Sequence, residues 1–131
     1  MDFIAEVDVR INDNSGESHG LMFRHQDGNS FYSYRISQNG HYSFDIHQSE
    51  KYKHIIGHTP SNAILKGRGQ MNCLRVIAKK SEFELFINGI KVASINDSSF
   101  KKGAVGLMAC TCCEGASYIN VSFSNFAVTS N

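Results

Sequence analysis

Three kinds of residue in this chain can do chemistry: a cysteine cluster, alternating carboxylates, and scattered arginines and histidines. The segment ACTCCEG places Cys110, Cys112 and Cys113 within four positions, with Cys73 as the fourth cysteine. Adjacent cysteines tend to point apart, so this cluster does not close a tetrahedral zinc shell without Cys73 or a distant histidine. It also lacks the C-x-x-C spacing of a redox pair. Free, buried or half-buried thiols near a strand end are expected, with a disulfide to Cys73 as the alternative. Two carboxylate pairs, Glu6/Asp8 and Glu82/Glu84, alternate along the chain. On one strand face their Cα atoms would lie roughly 6.5 to 7 Å apart, a separation at which two acids can cooperate in glycosidic bond cleavage. A solvated strand face gives the same pattern and is the favoured reading. The six histidines, at 19, 25, 41, 47, 54 and 58, show no H-E-x-x-H spacing.

Bulk properties narrow the classes. At 131 residues the chain is the length of one domain, 1–131, and is long enough to bury a core without staples. It is also short enough to be a domain excised from a longer parent. The net charge of +1 comes from 13 basic and 12 acidic residues that are dispersed, so no electrostatic footprint for nucleic acid exists. No apolar run approaches the ~20 residues that cross a bilayer, and the N-terminus lacks a signal-peptide pattern. A soluble chain without membrane insertion is expected, in a compartment the sequence does not specify.

The elements that must position these residues read as strand after strand. In DFIAEVDVRI, the residues Phe3, Ala5, Val7, Val9 and Ile11 take one face. SFYSYRIS and HYSFDIH alternate Tyr32, Tyr34, Ile36 and Tyr42, Phe44, Ile46 against polar residues, and a QNG turn joins them into a hairpin. KYKHIIGH is a weaker strand, and SNAILKGRGQ reads as a loop with at most one helical turn. MNCLRVIAKK alternates Leu74, Val76 and Ala78 against Arg75. Asn88-Gly89 carries the strongest hairpin signal, because both central residues of a type I′ turn require positive φ. In the last segment the apolar phase slips between Phe123 and Phe126, as a bulge near Asn125 produces. Nine or ten strands joined by short turns predict an all-β, antiparallel two-sheet sandwich.

The ordered segments GLMFRHQDGNSFYSYRIS, HYSFDI, MNCLRVIAKKSEFELFINGIKV, GAVGLMA and VSFSNFAV resemble the concanavalin A-like lectin/glucanase superfamily, most closely its laminin G-like and 3-keto-disaccharide-hydrolase-like jelly rolls. The resemblance implies a jelly-roll fold over residues 2 to 128 and is silent on chemistry. Neither carboxylate pair has the third acid of the superfamily's E-x-D-x-E type of motif. Rim calcium sites of laminin G-like domains suggest Asp27, Asn29, Asn96 and Asp97 as oxygen ligands, although Asp27-Gly28-Asn29 is equally a plain turn. No cofactor or metal is otherwise expected.

If the apolar residues of each strand face the core, the polar ones project outward. Arg24, Arg35, Asp45, His47 and Arg75 are then candidate carbohydrate-binding residues on one sheet face, where guanidinium and carboxylate groups pair with sugar hydroxyls. A charge ladder of exposed ion pairs, each contributing about 0 to 1 kcal/mol, is the structural alternative. The expected function is a noncatalytic recognition module for a glycan, within a larger or oligomeric assembly. A glycoside-hydrolase-like enzyme and a structural protein-interaction domain are the competing readings.

Overall fold

The computed structural model describes residues 2–13, 17–27, 29–49, 51–109 and 120–130. Ten strands run β1 (Phe3–Ile11), β2 (Ser18–His25), β3 (Phe31–Ser37), β4 (His41–Gln48), β5 (Lys51–Pro60), β6 (Met71–Lys79), β7 (Glu82–Ile87), β8 (Ile90–Asn96), β9 (Ala104–Ala109) and β10 (Val121–Ser130). They form two five-stranded sheets, in the orders β10-β1-β6-β7-β8 and β5-β4-β3-β2-β9. Every strand pair is antiparallel. The architecture is the expected jelly-roll sandwich, with no helix among the described residues. The loop after β5 contains turns where a helical turn was allowed for.

Alternation dictates which side chains fill the space between the sheets. Phe3, Ala5, Val7 and Val9 of β1, Leu74, Val76 and Ala78 of β6, and Phe83, Leu85 and Ile87 of β7 enter from the first sheet. Leu21 and Phe23 of β2, Tyr32, Tyr34 and Ile36 of β3, and Tyr42, Phe44 and Ile46 of β4 enter from the second. At the centre Phe23 packs against Tyr32, Phe44 and Phe83 with ring centroids 5.6, 5.7 and 5.5 Å apart. Such tilted pairs contribute about 0.5–1.5 kcal/mol each beyond the area they bury.

The three core tyrosines keep their hydroxyls satisfied by reaching across the sandwich. Tyr34 Oη donates to the Phe86 carbonyl at 3.1 Å and Tyr42 Oη to the Val92 carbonyl at 3.2 Å, while Tyr32 Oη donates to the Asp97 carboxylate. Burial, and after it the Asp97 carboxylate, push the Tyr32 phenol up to about 12. Val92 is skipped in the β7–β8 register, where Leu85 pairs with Ala93 and Phe86 with Lys91.

Turns and bulges fall where the sequence signals them. Asn88 and Gly89 have φ of 51° and 82°, the left-handed pair of a type I′ hairpin. Asn125 has φ 54° at the point where the β1–β10 register shifts. Replacing Leu85, which is fully buried, with Ala is expected to lower unfolding free energy by about 2–5 kcal/mol. Urea denaturation reads this directly, and an unchanged midpoint would contradict the packing described.

Candidate functional site

The outer face of the second sheet is ordered into transverse rows by strand register. In one row Phe31 of β3 lies opposite His47 of β4, and His47 opposite Tyr52 of β5. Their rings stack, Phe31 on His47 at 4.3 Å and 15°, His47 on Tyr52 at 5.5 Å and 19°. His25 of β2 extends the row, 5.7 Å from Phe31. The next row runs Met22, Ser33, Asp45, His54, and the one beyond runs Gly20, Arg35, Ser43. Gly106 and Met108 of β9 flank Met22 and Gly20.

Asp45 is the hub of this grid. Its carboxylate is fully buried; Oδ2 accepts a hydrogen bond from Arg35 Nη2 at 2.7 Å and Oδ1 accepts one from His54 Nδ1. The Arg35 side chain is only 8% exposed, whereas that of His54 is 40% exposed. Because Nδ1 carries the proton shared with Asp45, the other nitrogen, Nε2, is a bare acceptor in the neutral ring and an N–H donor in the protonated one. His47 Nε2 lies 3.1 Å from Ser33 Oγ. Burial, aided by Arg35 and opposed by Asp45, lowers the His47 imidazole below the usual histidine range. Two buried polar atoms, Arg35 Nε and Ser43 Oγ, have no hydrogen-bond partner among the described residues.

The structure brings together three of the five residues expected on one face. Arg35, Asp45 and His47 share it; Arg24 and Arg75 do not. Arg24 is an extra residue in β2, where the register against β9 shifts between Met22 and His25. Its φ of 51° reverses the side chain into the sandwich, with the guanidinium carbon 4.8 Å over the Phe83 ring and Nη1 donating to the Phe100 carbonyl at 2.9 Å. Burial lowers its pKa from the usual arginine value. Gly103 makes this bulge feasible, since a Cβ there would lie 2.4 Å from the Arg24 carbonyl carbon. Arg75 does point outward as Leu74 and Val76 point in, but β6 belongs to the other sheet, where Arg75 Nε faces Glu6 Oε2 at 3.8 Å. The exposed ion-pair ladder expected for Arg35 and Asp45 is likewise corrected: the pair is buried.

Sequence reading missed Phe31, Tyr52 and His54. Phe31 has the same parity as Ser33 and Arg35, which was the available signal. On β5 the parity breaks, because the β4–β5 register shifts on both sides of Phe44. Ile55 and Ile56 both pack on the core.

The remaining candidates lie elsewhere. Glu6 faces Arg75, Asp8 accepts from Asn125 Nδ2 at 2.8 Å, and Glu84 lies 2.9 Å from Lys91, all on the opposite sheet. Asp97 Oδ1 accepts from Tyr32 Oη and from the Ser99 amide, so one proposed calcium ligand is engaged locally. No group of three His, Cys, Asp or Glu side chains suited to a metal occurs among the described residues. Cys73 is a half-buried free thiol, pushed up to about 11 by burial and by Asp8. Cys110, Cys112 and Cys113 lie outside the described residues. Among the described residues, no helix is long and apolar enough to cross a membrane.

No protein-family model matches the chain, and no curated protein sequence matches it significantly. Solved structures share its fold. The carbohydrate-binding module CBM66 from Bacillus subtilis superposes with a TM-score of 0.81 at 22% identity, over 98% of this chain and 75% of that one. Sheep galectin-11 gives 0.66 at 9% identity, over 97% and 89%. The GH43 protein BlXynB from Bacillus licheniformis, a K247S mutant, gives 0.73 at 14% identity, over 99% of this chain and 28% of that one. The chain thus corresponds to just over a quarter of the GH43 protein's length.

Two outcomes are expected. Asp45→Ala leaves Arg35 buried without its counterion and should cost about 3–5 kcal/mol in denaturant unfolding. Loss of under 1 kcal/mol would show the pair to be solvent-screened. Stability should also fall with acidification. His19 and His47 both have lowered folded pKa values, chiefly through burial. The unfolded chain therefore binds more protons as pH drops below the ordinary histidine value of about 6.5. Melting temperatures should be highest above that value and decline through pH 6 to 5, less steeply in His47→Gln.

Proposed function

We propose that the chain is a noncatalytic carbohydrate-recognition module and that its ligand lies on the outer face of the second sheet. The observation that carries this reading is the adjacency of two kinds of row. One is aromatic and imidazole, Phe31–His47–Tyr52, ending in a tyrosine that is 60% exposed. The other holds the Arg35–Asp45–His54 system, with a buried pair and a partly exposed imidazole. Saccharide recognition calls for this combination: ring faces or edges for the apolar C–H side of a sugar, and fixed polar groups for its hydroxyls. The fold neighbours support the reading, since one is a carbohydrate-binding module and another a galectin.

The working parts divide by exposure. Tyr52 and His54 are the groups a ligand touches first. Asp45 acts through Arg35 and His54, holding the guanidinium and the imidazole in fixed orientation. It is a positioning residue, because a buried carboxylate with both oxygens engaged is not available to a sugar hydroxyl.

A glycan array followed by calorimetric titration of the best ligand tests the proposal. Tyr52→Ala should weaken binding several-fold, as loss of an aromatic contact of about 1 kcal/mol implies. Its melting temperature should stay near that of the parent chain, because the ring lies on an edge strand and is mostly exposed. Absence of any glycan signal, or binding indifferent to Tyr52, rejects the site.

A further inference from the structure

We propose that the ligand of this face is an extended oligosaccharide, about three or four sugar residues long, that lies along β5 from the Tyr52 ring at one end to a cavity beyond His58 at the other. This rests on the carbohydrate reading above and adds the size and direction of the ligand. The direction follows from how the rings are exposed. Across the strands, Phe31 and His47 are half-buried, and their faces are spent on each other and on Tyr52, at interplanar angles of 15° and 19°. Along β5, in contrast, Tyr52, His54 and His58 are all exposed. Their ring centroids follow one another at 5.6 and 5.5 Å.

That spacing is a product of the irregular edge strand. In an unbroken strand, residues four apart lie about 13 Å from each other. Between His54 and Thr59, however, β5 carries more residues than β4 opposite it. His54 pairs with Asp45, Ile56 with Phe44 and Thr59 with Tyr42, so five steps on β5 match three on β4. The two register shifts absorb the excess, and His58 stands beside His54 as the next outward neighbour. Tyr52, His54 and His58 thereby form a continuous ladder in which each step is comparable with the length of one pyranose residue.

The far end of the ladder meets a cavity of about 260 Å³ lined by Ser37, Asn39, His41 and His58. Ser37 continues the outward parity of Arg35 on β3, and His41 that of Ser43 on β4, so the cavity lies on the same face as Asp45. Here Asn39 Oδ1 accepts from Ser37 Oγ and from His41 Nδ1, the latter at 3.0 Å. These bonds fix the amide and leave both Nδ2 hydrogens uncommitted among the described residues. His41 Nδ1 spends its proton on Asn39 and His54 Nδ1 spends its own on Asp45, so Nε2 of each neutral ring is an acceptor. Fixed donors and acceptors side by side suit the hydroxyls of a sugar. From His47, which pairs with Tyr52, to His41 is six residues of β4, about 20 Å, and β3 pairs along it without a register shift. One sugar ring cannot touch both ends of that span; a short chain does.

The test uses the full chain and ladders of gluco-, xylo-, manno-, galacto- and fructo-oligosaccharides, from monomer to hexamer, titrated calorimetrically. In the ladder that binds, affinity should rise roughly tenfold or more from monomer to tetramer and level off beyond it. Tyr52→Ala and Asn39→Ala should each weaken the tetramer several-fold, and their losses should add in the double variant because the two positions share no partner. A dimer reaches one end only, so just one of the two substitutions should weaken it. His58→Ala should also weaken the tetramer; it sits on the edge strand, outside the turn that holds Asn39, and carries the test if Asn39→Ala does not fold. A monomer that binds as tightly as the tetramer overturns the inference and leaves the carbohydrate reading intact. So does a tetramer weakened by Tyr52→Ala but by neither Asn39→Ala nor His58→Ala. Loss of binding in His25→Ala with none in a folded Asn39→Ala means that the ligand crosses the strands, and likewise overturns it. Failure of all the ladders while some other array glycan binds overturns it too, whereas failure of every glycan rejects the carbohydrate reading itself.

Discussion

Everything on the outer face depends on the aromatic contact made inside. Phe23, Tyr32, Phe44 and Phe83 lock β2, β3 and β4 against β7, with ring centroids between 5.0 and 5.8 Å. Because side chains alternate with period two, fixing Tyr32, Tyr34 and Phe44 inward fixes Ser33, Arg35 and Asp45 outward. A one-residue slip of β3 and β4 would put an arginine and an aspartate into the hydrocarbon core and expose four aromatic rings, Tyr32, Tyr34, Tyr42 and Phe44. The core thereby selects the register that assembles the polar hub.

That coupling determines what sequence reading recovers. The inward sets of β1, β3, β4, β6 and β7 were legible, since each alternates without interruption over at least six residues. So were the Asn88-Gly89 turn and the bulge at Asn125, where local chemistry and phase agree. Arg35, Asp45 and His47 were found for the same reason. Arg24 was misplaced because one left-handed residue inverts parity, and the feature permitting it, Gly103, lies about eighty positions away, just before β9. Arg75 was misplaced for a different reason. Its parity was correct, but which sheet β6 joins is a non-local fact that alternation does not encode.

Tyr52 and His54, on the edge strand β5, show the third limit. An edge strand bears fewer core contacts, so its apolar pattern is weak, and two register shifts erase the phase that remains. Such shifts re-aim side chains, and they are frequent at edges and beside binding surfaces. The strand holding Tyr52 and His54 has no fully buried apolar residue, yet it supplies the exposed end of the aromatic row.

The three tyrosine hydroxyls that bridge the sandwich have a mechanical meaning. Each runs from the sheet that carries the polar grid to backbone or carboxylate oxygen on the opposite side. Two packed sheets held only by apolar contact can shear, because dispersion has little directional preference. Hydrogen bonds at three separate points along β3 and β4 oppose that sliding, each being sensitive to distance and angle. The strands so pinned are the two that bear Arg35 and Asp45. A guest then meets a surface whose shape is set in advance, and the entropy lost on association comes mainly from the guest. Among chemically equivalent guests, the stiffest should be held longest.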